Sequence, residues 1–293
     1  MATSRERAQT NLHGASTQAR TIEQEHARGE RFRFGENWAS FLRTLDQSRI
    51  EYAQQSLLAL LGADQLNGRT FLDIGCGSGL SSLAARRAGA TVFSFDYDQD
   101  SVRCTEELKR RYYPDDPSWT VQRGSILDDL FLQSLPPFDI VLSWGVLHHT
   151  GQMWQAIENA AQLVAPGGLL AIALYNDQGF RSRLWLSVKK AYNKSPSLGR
   201  RALLAGSALV LWGPATLKGL TRGDPFRWWR NYRSMRGMSP WHDLVDWVGG
   251  YPFEVARRDA VVANLTTSRY SLERLNSIGG GLGCNEFVFR RNP

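Results

Sequence analysis

The chain has 293 residues, of which 42% are hydrophobic and 22% are charged, a composition typical of folded globular proteins rather than disordered ones. No uninterrupted apolar run approaches the roughly 18 residues of a membrane span, and the polar start MATSRERAQT lacks the apolar core of a signal peptide. The net charge of +7 arises in one stretch, because residues 178–240 hold 13 basic residues and a single acid, Asp224.

The N-terminal part of the chain precedes any strand pattern. Residues 1–30 are polar and are expected to form a flexible segment. From Phe32 onward, apolar residues recur at helical spacing up to Gly62, which predicts a helix that ends at this glycine.

Strands and helices alternate from residue 70 to residue 175. The predicted strands are TFLDI (70–74), ATVFSF (90–95), WTVQRG (119–124), FDIVLSW (138–144) and LLAIALY (169–175). The predicted helices between them are LSSLAARRAG (80–89), QDSVRCTEELKRRYY (99–113) and MWQAIENAAQLVAPGG (153–168). This alternation predicts a mostly parallel, Rossmann-like sheet with helices on both faces and with the carboxyl ends of its strands along one edge.

The alternation stops after Tyr175 and resumes near the C-terminus. A helix, EVARRDAVVANL (254–265), and two strands near YSLERLN (270–276) and CNEFVFRR (284–291) complete a sheet of seven strands. The predicted organisation is therefore an N-terminal helix and core over 31–177, an inserted α-rich lid over 178–250, and the end of the core over 251–293.

Glycines follow the first strand in the segment DIGCGSG. They allow a tight turn and the close approach of a ligand to the backbone. A dinucleotide fingerprint would place its third glycine at position 80, which is Leu80, and the third glycine is Gly79. No Lys-Ser/Thr pair follows, which excludes a P-loop. The loop therefore favours a nucleoside ligand.

Polar residues also follow the next two strands. Asp96 closes the second strand, where an acid accepts hydrogen bonds from ribose hydroxyls in Rossmann-like sites. Ser125 and Ile126 follow the third strand, where a small polar and an aliphatic residue suit an adenine. One ligand at this edge could contact all of these residues.

In these segments the sequence resembles the class I S-adenosylmethionine-dependent methyltransferases. FLDIGCGSG, VFSFD, GSILD, FDIVLSWGVLHHT and APGGLLAIALYND are similar to their five motifs, in order and at the expected spacing. The pattern is most similar to small-molecule O-methyltransferases of the ubiquinone-biosynthesis type, although His148 stands where that group has an acid. The resemblance implies S-adenosylmethionine as the cofactor.

The resemblance assigns cofactor contacts by motif. It implies that Asp73, Gly75 and Gly77 surround the methionine part of the cofactor, while Asp73 has the alternative role of bracing the loop. It also implies that Asp96 holds the ribose.

For the rest of the cofactor, the resemblance implies that Ser125 and Ile126 hold the adenine, with Ile126 alternatively a plain core residue. The backbone at Ser143 and Trp144 would close the site beneath the sulfonium.

Five residues, in three ranks, are candidates for the general base that removes a proton from an acceptor hydroxyl. His149 and His148 follow the fourth strand, and an imidazole titrates near neutral pH. Adjacent side chains point in different directions, so at most one faces the acceptor, and the pair is not expected to bind a metal. Asp177, after the fifth strand, is the second choice, and His242 and Asp243 in the insert are the third. Alternatively, a histidine only packs or caps the next helix.

The insert is the expected acceptor lid, to which we assign Arg230, Arg233, Trp241, His242 and Tyr175, the last at its border. Arginines bind carboxylate or phosphate and indoles stack, so an anionic or aromatic metabolite is the leading ligand class. Residues 203–236 also suit a membrane surface, whereas nucleic acid is disfavoured because the basic residues fill a single insert. The insert is alternatively a structural subdomain, and its exposed tryptophans would allow a homodimer.

Together these features predict a methyltransferase that acts on a small molecule, at a hydroxyl oxygen, with a histidine as the general base. The alternative is a peripheral membrane methyltransferase for a lipid or quinone, with RNA or protein substrates ranked below it. The three scattered cysteines, Cys76, Cys104 and Cys284, form neither a disulfide framework nor a zinc-ligand spacing, so we expect a cytoplasmic protein without a bound metal.

Overall fold

The computed structural model of the protein describes residues 22–221, 223–224, 240–267 and 269–293. Its centre is a seven-stranded sheet in the order β3-β2-β1-β4-β5-β7-β6. The strands are β1 (Thr70–Ile74), β2 (Thr91–Asp96), β3 (Trp119–Arg123), β4 (Phe138–Trp144), β5 (Val164–Tyr175), β6 (Tyr270–Asn276) and β7 (Cys284–Arg291). The first five strands are parallel, and β7 runs antiparallel to both β5 and β6. The predicted fold class is confirmed.

The helices cover both faces of this sheet and extend beyond it. They are α1 (Phe34–Leu42), α2 (Gln47–Leu61), α3 (Leu80–Arg87), α4 (Gln99–Tyr112), α5 (Asp129–Gln133), α6 (Met153–Gln162), α7 (Phe180–Lys194), α8 (Ser197–Leu220), α9 (Pro240–Gly249) and α10 (Arg258–Thr266), with a 3₁₀ turn at Leu147–His149. One hydrophobic core lies between the sheet and α6 with α10, and the other between the sheet and α2, α3 and α4.

The strand order places a topological switch point between β1 and β4. After β1 the chain proceeds outward to β2 and β3, and it then returns to form β4 on the other side of β1. In open α/β sheets, ligands bind in the crevice outside the carboxyl ends of the strands at such a point. The loops after β1 and β4 are therefore the expected walls of a binding site.

The structure corrects three predicted helix boundaries. The N-terminal helix is interrupted, because Asp46 caps α2 by accepting a hydrogen bond from the Arg49 amide at 3.0 Å, although α2 does end at Gly62. The helix expected over 153–168 stops at Gln162, because Val164 already pairs with Phe138 as part of the sheet. The helix expected over 254–265 begins only at Arg258.

The insert contributes α7, α8 and α9, which pack around a third hydrophobic cluster that includes Phe32, Tyr175 and Trp185. Within the described residues, α8 is one helix of 24 residues that is long and apolar enough to cross a membrane by length and composition, and only 11% of its most apolar window is buried. The search for an uninterrupted apolar run did not indicate this helix, because glycine, serine, threonine, proline and lysine residues interrupt its apolar residues while its mean hydropathy stays high.

Candidate functional site

A single cavity of about 1430 Å³ lies at the carboxyl ends of β1, β2, β3 and β4. Residues 73–78, 95–98 and 124–127 line the part that we call the cofactor half. The acceptor half is lined by aromatic, aliphatic and polar side chains from five segments, namely Phe34, Trp38, His149, Tyr175, Leu211, Trp212, Asp243, Asp246 and Trp247. The cavity therefore joins the glycine loop to the insert.

The glycine loop after β1 needs its glycines for both conformation and space. Gly75, Gly77 and Gly79 all have positive φ angles, of 71°, 53° and 80°, which side chains rarely tolerate. A side-chain carbon at Gly75 would lie 2.3 Å from Val146 Cγ1, and one at Gly77 would lie 2.9 Å from the indole nitrogen of Trp38. The loop is thus pressed between β4 and α1.

Asp96 holds the loop with its carboxylate. Its Oδ2 accepts a hydrogen bond from the Gly77 amide at 3.0 Å, and its Oδ1 accepts one from the Asp98 amide at 2.9 Å. Burial nevertheless raises the pKa of Asp96 to about 7. Each carboxylate oxygen has a second lone pair, so Asp96 can still accept hydrogen bonds from a ligand in the cavity.

Asp73 borders the cavity but belongs to a buried polar network. Its Oδ2 accepts a hydrogen bond from the Ser82 hydroxyl at 2.5 Å, and Ser82 lies 2.8 Å from the Ser94 hydroxyl. Burial raises the pKa of Asp73 to about 6, although the hydrogen bonds from Ser82 oppose this shift. These contacts match the alternative role of bracing the loop, and the cofactor contact of Asp73 stays a prediction.

The structure brings the predicted adenine residues to the same cavity. The Ser125 hydroxyl accepts a hydrogen bond from the Leu127 amide at 3.1 Å, and the Ile126 carbonyl accepts one from the Asn159 amide group at 2.8 Å. Ile126 is 5% exposed and belongs to the core, which matches its alternative role, and its contact with the adenine stays a prediction.

The two predicted residues at the end of β4, Ser143 and Trp144, differ in whether they line the cavity. Trp144 lines the cavity, and its indole N–H donates to Glu286 Oε1 at 3.3 Å. Ser143 is fully buried, and its hydroxyl donates to the Ile74 carbonyl at 3.2 Å. Ser143 therefore fastens β4 to β1 and is not among the residues that line the cavity.

His149 lies in the acceptor half and has a defined tautomer. Its Nδ1 is 2.5 Å from the Pro252 carbonyl oxygen, and a carbonyl can only accept, so Nδ1 carries the proton and Nε2 keeps its lone pair. The ring packs against Phe34 at 4.9 Å and against Tyr175 at 5.4 Å between centroids. Burial lowers the pKa of His149 to about 3, so the imidazole is neutral at physiological pH.

His148 is not brought to the cavity, which corrects its prediction as a base. It is fully buried, its ring packs 3.9 Å from that of Tyr175, and its Nδ1 accepts the Tyr175 amide at 3.4 Å. The two histidines occupy a 3₁₀ turn, in which consecutive side chains point about 120° apart. One histidine therefore faces the cavity and the other faces the core.

Asp177 is also outside the cavity, contrary to its prediction as a second base. Its amide donates to the Ala256 carbonyl at 3.1 Å, and the neighbouring Asn176 forms a bridge with Ala256. This pairing turns the chain toward a separate depression of about 980 Å³, which Asp177 lines together with Arg257.

The predicted lid residues are only partly brought together. Tyr175 lines the cavity, but Trp241 is 54% exposed and His242 is buried against α1, where its Nε2 is 3.1 Å from the Ser40 hydroxyl. His242 therefore fixes the insert to the N-terminal helices. Arg230 and Arg233 lie outside the described residues, as do Arg236, Trp228, Trp229 and Tyr232.

Sequence reasoning missed two charged residues of the insert. Asp246 is half-buried and lines the acceptor half, and Lys189 is fully buried. The Lys189 ammonium group lies over the rings of Phe253, Trp247 and Tyr175 at 4.7, 4.9 and 5.6 Å. No motif marks either position. Lys189 and Asp246 are 57 residues apart in a basic insert, so the sequence does not indicate that their charges interact.

The described residues hold no group of three or more histidine, cysteine, aspartate and glutamate side chains that could bind a metal ion. The arrangement instead offers a nucleoside-sized polar half and an aromatic half with a neutral imidazole and a carboxylate.

Comparison with known proteins relates this site to a family. Residues 72–170 match the family described as "Methyltransferase domain". Proteins named ubiquinone biosynthesis O-methyltransferase are similar to this chain, with 29% identity over 147 residues for Caulobacter sp. (strain K31) and 30% over 118 residues for Maricaulis maris (strain MCS10). These matches cover 46% and 40% of this chain and 54% and 44% of the relatives, so they span about half the length of those proteins.

Among solved structures, the magnesium protoporphyrin IX methyltransferase of Synechocystis PCC 6803, which has bound SAH, is similar to this chain. The alignment has 15% sequence identity, covers 84% of each chain and has a TM-score of 0.49. The sequence matches confirm the predicted resemblance, and residues 72–170 match a methyltransferase domain.

Proposed function

We propose that the whole chain transfers a methyl group from S-adenosylmethionine to a hydroxyl oxygen of a small aromatic molecule. The observation that carries this proposal is the continuity of one cavity from the glycine loop to the aromatic acceptor half. The residues of the cofactor half suit the cofactor, because Asp96 is a partly buried carboxylate with spare lone pairs and Ser125 and Ile126 offer a partly apolar wall. When bound, the cofactor supplies an electrophilic methyl group.

The chain's own residues then align the acceptor and exclude water. Phe34, Trp38, Tyr175 and Trp247 provide flat walls against which an aromatic ring can stack. We propose that His149 is the histidine that acts on the acceptor, because its Nε2 has the lone pair that can receive the hydrogen bond of a hydroxyl. The low pKa of His149 means that the proton cannot remain on this ring at neutral pH.

The leading acceptor class changes from the one that the basic insert suggested. The described insert residues that line the acceptor half include two carboxylates, Asp243 and Asp246, whereas the arginines 230 and 233 lie outside the described residues. A carboxylate repels an anionic acceptor and accepts a hydrogen bond from a neutral hydroxyl. We therefore propose a neutral, hydroxylated acceptor, and we place the enzyme in the cytoplasm because its three cysteines are free.

The test uses methyl-labelled S-adenosylmethionine, the purified protein and a cell extract, with label counted in solvent-extractable, acid-soluble and acid-precipitable fractions. We expect label in the solvent-extractable or the acid-soluble fraction, and no label above background when the extract is omitted. Label confined to the precipitate would contradict a small-molecule acceptor and favour a macromolecular one.

A second candidate function is methyl transfer at a membrane surface, and the observation that favours it is α8. Leu209, Val210 and Leu217 are 76%, 67% and 64% exposed, and Leu220 extends the same side of the helix. Arg200 and Arg201 lie near one end of this helix and Lys218 near the other. An exposed apolar stripe with basic residues suits an interface with anionic lipid headgroups.

Co-sedimentation with vesicles of neutral and anionic phospholipids tests this candidate. We expect wild-type protein to sediment with anionic vesicles and a Leu209→Gln/Leu217→Gln variant to stay in solution. Leu130→Gln is the matched control, because Leu130 is 82% exposed on α5, away from the insert. Equal sedimentation of wild type and the α8 variant would remove the membrane candidate and leave the soluble enzyme.

A further inference from the structure

The acceptor half contains a buried carboxylate whose partner is not obvious. Asp246 borders the cavity near the end of α9, and its Oδ1 is buried with no hydrogen-bond partner among the described residues. A buried acceptor without a hydrogen-bond partner destabilises the fold. Such an atom beside a cavity is suited to a hydrogen-bond donor that enters the cavity.

The surroundings of Asp246 are charged on one side and aromatic on the other. The Lys189 ammonium is an opposite charge that acts on Asp246, and it donates a hydrogen bond to the carbonyl of the next residue, Trp247. Burial raises the pKa of Asp246 well above its usual range, while Lys189 lowers it and Asp243 raises it. Burial also lowers the pKa of Lys189, whereas the charge of Asp246 raises it.

Gly250 and the backbone carbonyl of Asp246 lie close to His149. The Gly250 amide donates to the Asp246 carbonyl at 2.8 Å. A side-chain carbon at Gly250 would lie 2.7 Å from that carbonyl oxygen and 2.9 Å and 3.3 Å from Cε1 and Nε2 of His149. The end of α9 therefore packs directly on the imidazole, and a hydroxyl that hydrogen-bonds to Nε2 is close to the same helix end.

We propose that Asp246 is the group that finally holds the proton of the acceptor hydroxyl, and that Lys189 positions it and stabilises the negative charge left on the acceptor oxygen. This inference rests on the proposed function. The acceptor O–H bond breaks and the proton forms a new bond to a carboxylate oxygen of Asp246. The electron pair left on the acceptor oxygen forms the bond to the methyl carbon, and the carbon–sulfur pair returns to sulfur.

The roles of the three residues then differ in kind. His149 orients the hydroxyl through Nε2 but is too weak a base to keep the proton. A carboxylate whose pKa lies closer to neutrality is the better proton acceptor at physiological pH. Lys189 does not line the cavity and is a positioning residue that acts through Asp246 and the aromatic rings around it.

A spectroscopic test needs no cofactor and no turnover. The probe is 4-nitrophenol, whose phenolate absorbs in the visible range and whose neutral form does not, held at a pH just below its own pKa. We expect binding to wild-type protein to increase the phenolate absorbance and binding to Asp246→Asn to lose most of this increase. Asp246→Glu should restore part of it, and Lys189→Gln should reduce it.

Two controls separate a chemical role from a folding defect. Asp259→Asn removes an exposed carboxylate on α10 that does not line the cavity, and it should match wild type. Each variant should also keep wild-type affinity for S-adenosylhomocysteine by calorimetry. Absence of 4-nitrophenol binding by wild type, binding in the neutral form only, or equal spectra for wild type and Asp246→Asn would overturn the proposal.

The labelled-methyl assay then distinguishes this inference from the proposed function. With weakly acidic phenols as acceptors, Asp246→Asn should lower turnover by about 10²-fold, the lower limit of general base effects. With 4-nitrophenol, which ionises without help at pH 8, the loss should shrink to a fewfold. If the wild type labels phenols and Asp246→Asn loses the same fraction of turnover on both acceptors, the role of Asp246 is overturned while the proposed function stands. A wild type that labels no acceptor would contradict the proposed function.

Discussion

The two halves of the cavity are built in different ways. In the cofactor half, short loops that directly follow β1, β2 and β3 form the wall, and the main contacts join neighbouring backbone amides to Asp96. In the acceptor half, side chains from α1, the 3₁₀ turn, the end of β5 and the insert meet only through long-range packing. The first half is a property of the sheet edge, whereas the second depends on how the insert docks.

Because of this difference, substitutions in the two halves should impair different properties of the protein. A substitution in the acceptor half should impair methyl transfer and leave cofactor affinity unchanged, because the glycine loop is held by β1, β2 and Asp96. A substitution in the cofactor half should weaken cofactor binding first.

The largest expected effect of this kind comes from His149→Ala. The variant loses the Nε2 lone pair and the ring that packs against Phe34 and Tyr175. Misplacement of an acceptor by about 1 Å can cost about 10²-fold in rate, so we expect turnover to fall by about that factor with unchanged affinity for S-adenosylhomocysteine. Labelled-methyl transfer and calorimetry measure the two quantities.

The matched control for this variant is Asp177→Asn. Asp177 lies outside the cavity, so its turnover should stay within about twofold of wild type. A large loss in Asp177→Asn, or a parallel loss of cofactor affinity in His149→Ala, would mean that the two halves are not independent.

A smaller but diagnostic loss is expected from Gly250→Ala. The added methyl group would lie 2.7 Å from the Asp246 carbonyl oxygen, so the backbone of α9 or the His149 ring must move. Overpacking of this kind typically costs 1–3 kcal/mol. We expect the apparent KM for a phenolic acceptor to rise about tenfold or more, with normal cofactor binding. Normal acceptor kinetics would show that the end of α9 does not shape the acceptor half.

The same difference explains how far the sequence predicts the site. The residues after β1, β2 and β3 could be assigned because a parallel sheet brings consecutive strand ends to one edge, whatever the rest of the chain does. The sequence also indicated that only one of His148 and His149 would face the acceptor, but not that His148 would be fully buried, since that depends on the 3₁₀ turn packing under Tyr175.

The acceptor half could not be assigned from local patterns. Trp241 and His242 occupy the same helix as Asp246, yet the orientation of α9 against α1 turns His242 onto Ser40 and leaves Trp241 exposed. Asp177 failed for a similar reason, because its backbone pairs with Ala256, a residue 79 positions away. Helix orientation and such pairings follow from packing between distant segments, which periodicity within one segment does not contain.

In the cofactor half, Asp96 predicts a pH dependence. Burial raises the pKa of Asp96 to about 7, so its carboxylate is protonated as the pH falls below that value and then has fewer lone pairs for ribose hydroxyls. We expect affinity for S-adenosylhomocysteine to be about tenfold weaker at pH 6 than at pH 8, since one pKa unit corresponds to a factor of ten. Calorimetry at these two pH values measures the ratio.

Asp96→Asn is the control, and its affinity should be lower at pH 8 and nearly independent of pH. Asp73 titrates at a lower pH, because its pKa is raised only to about 6, so it accounts for whatever dependence remains in the variant. An unchanged affinity in Asp96→Asn would contradict the ribose assignment, and a wild type that binds equally at both pH values would contradict the ionisation argument.

The smallest expected effect comes from a second glycine-to-alanine substitution in the insert, at Gly206. Unlike Gly250→Ala, it should not impair the protein. Gly206 lies on the exposed side of α8, and a side-chain carbon there meets no described atom within 4 Å. Alanine inside a helix is favoured over glycine by roughly 0.5–1 kcal/mol, so Gly206→Ala should increase the free energy of unfolding by that amount and leave turnover unchanged. Thermal or urea unfolding monitored by circular dichroism measures the change. A loss of stability would instead mean that a further surface packs against this side of α8 in solution, because open space cannot penalise a methyl group. Comparison of Gly250→Ala with Gly206→Ala would then show which side of the insert contacts the acceptor and which side contacts a partner or a membrane.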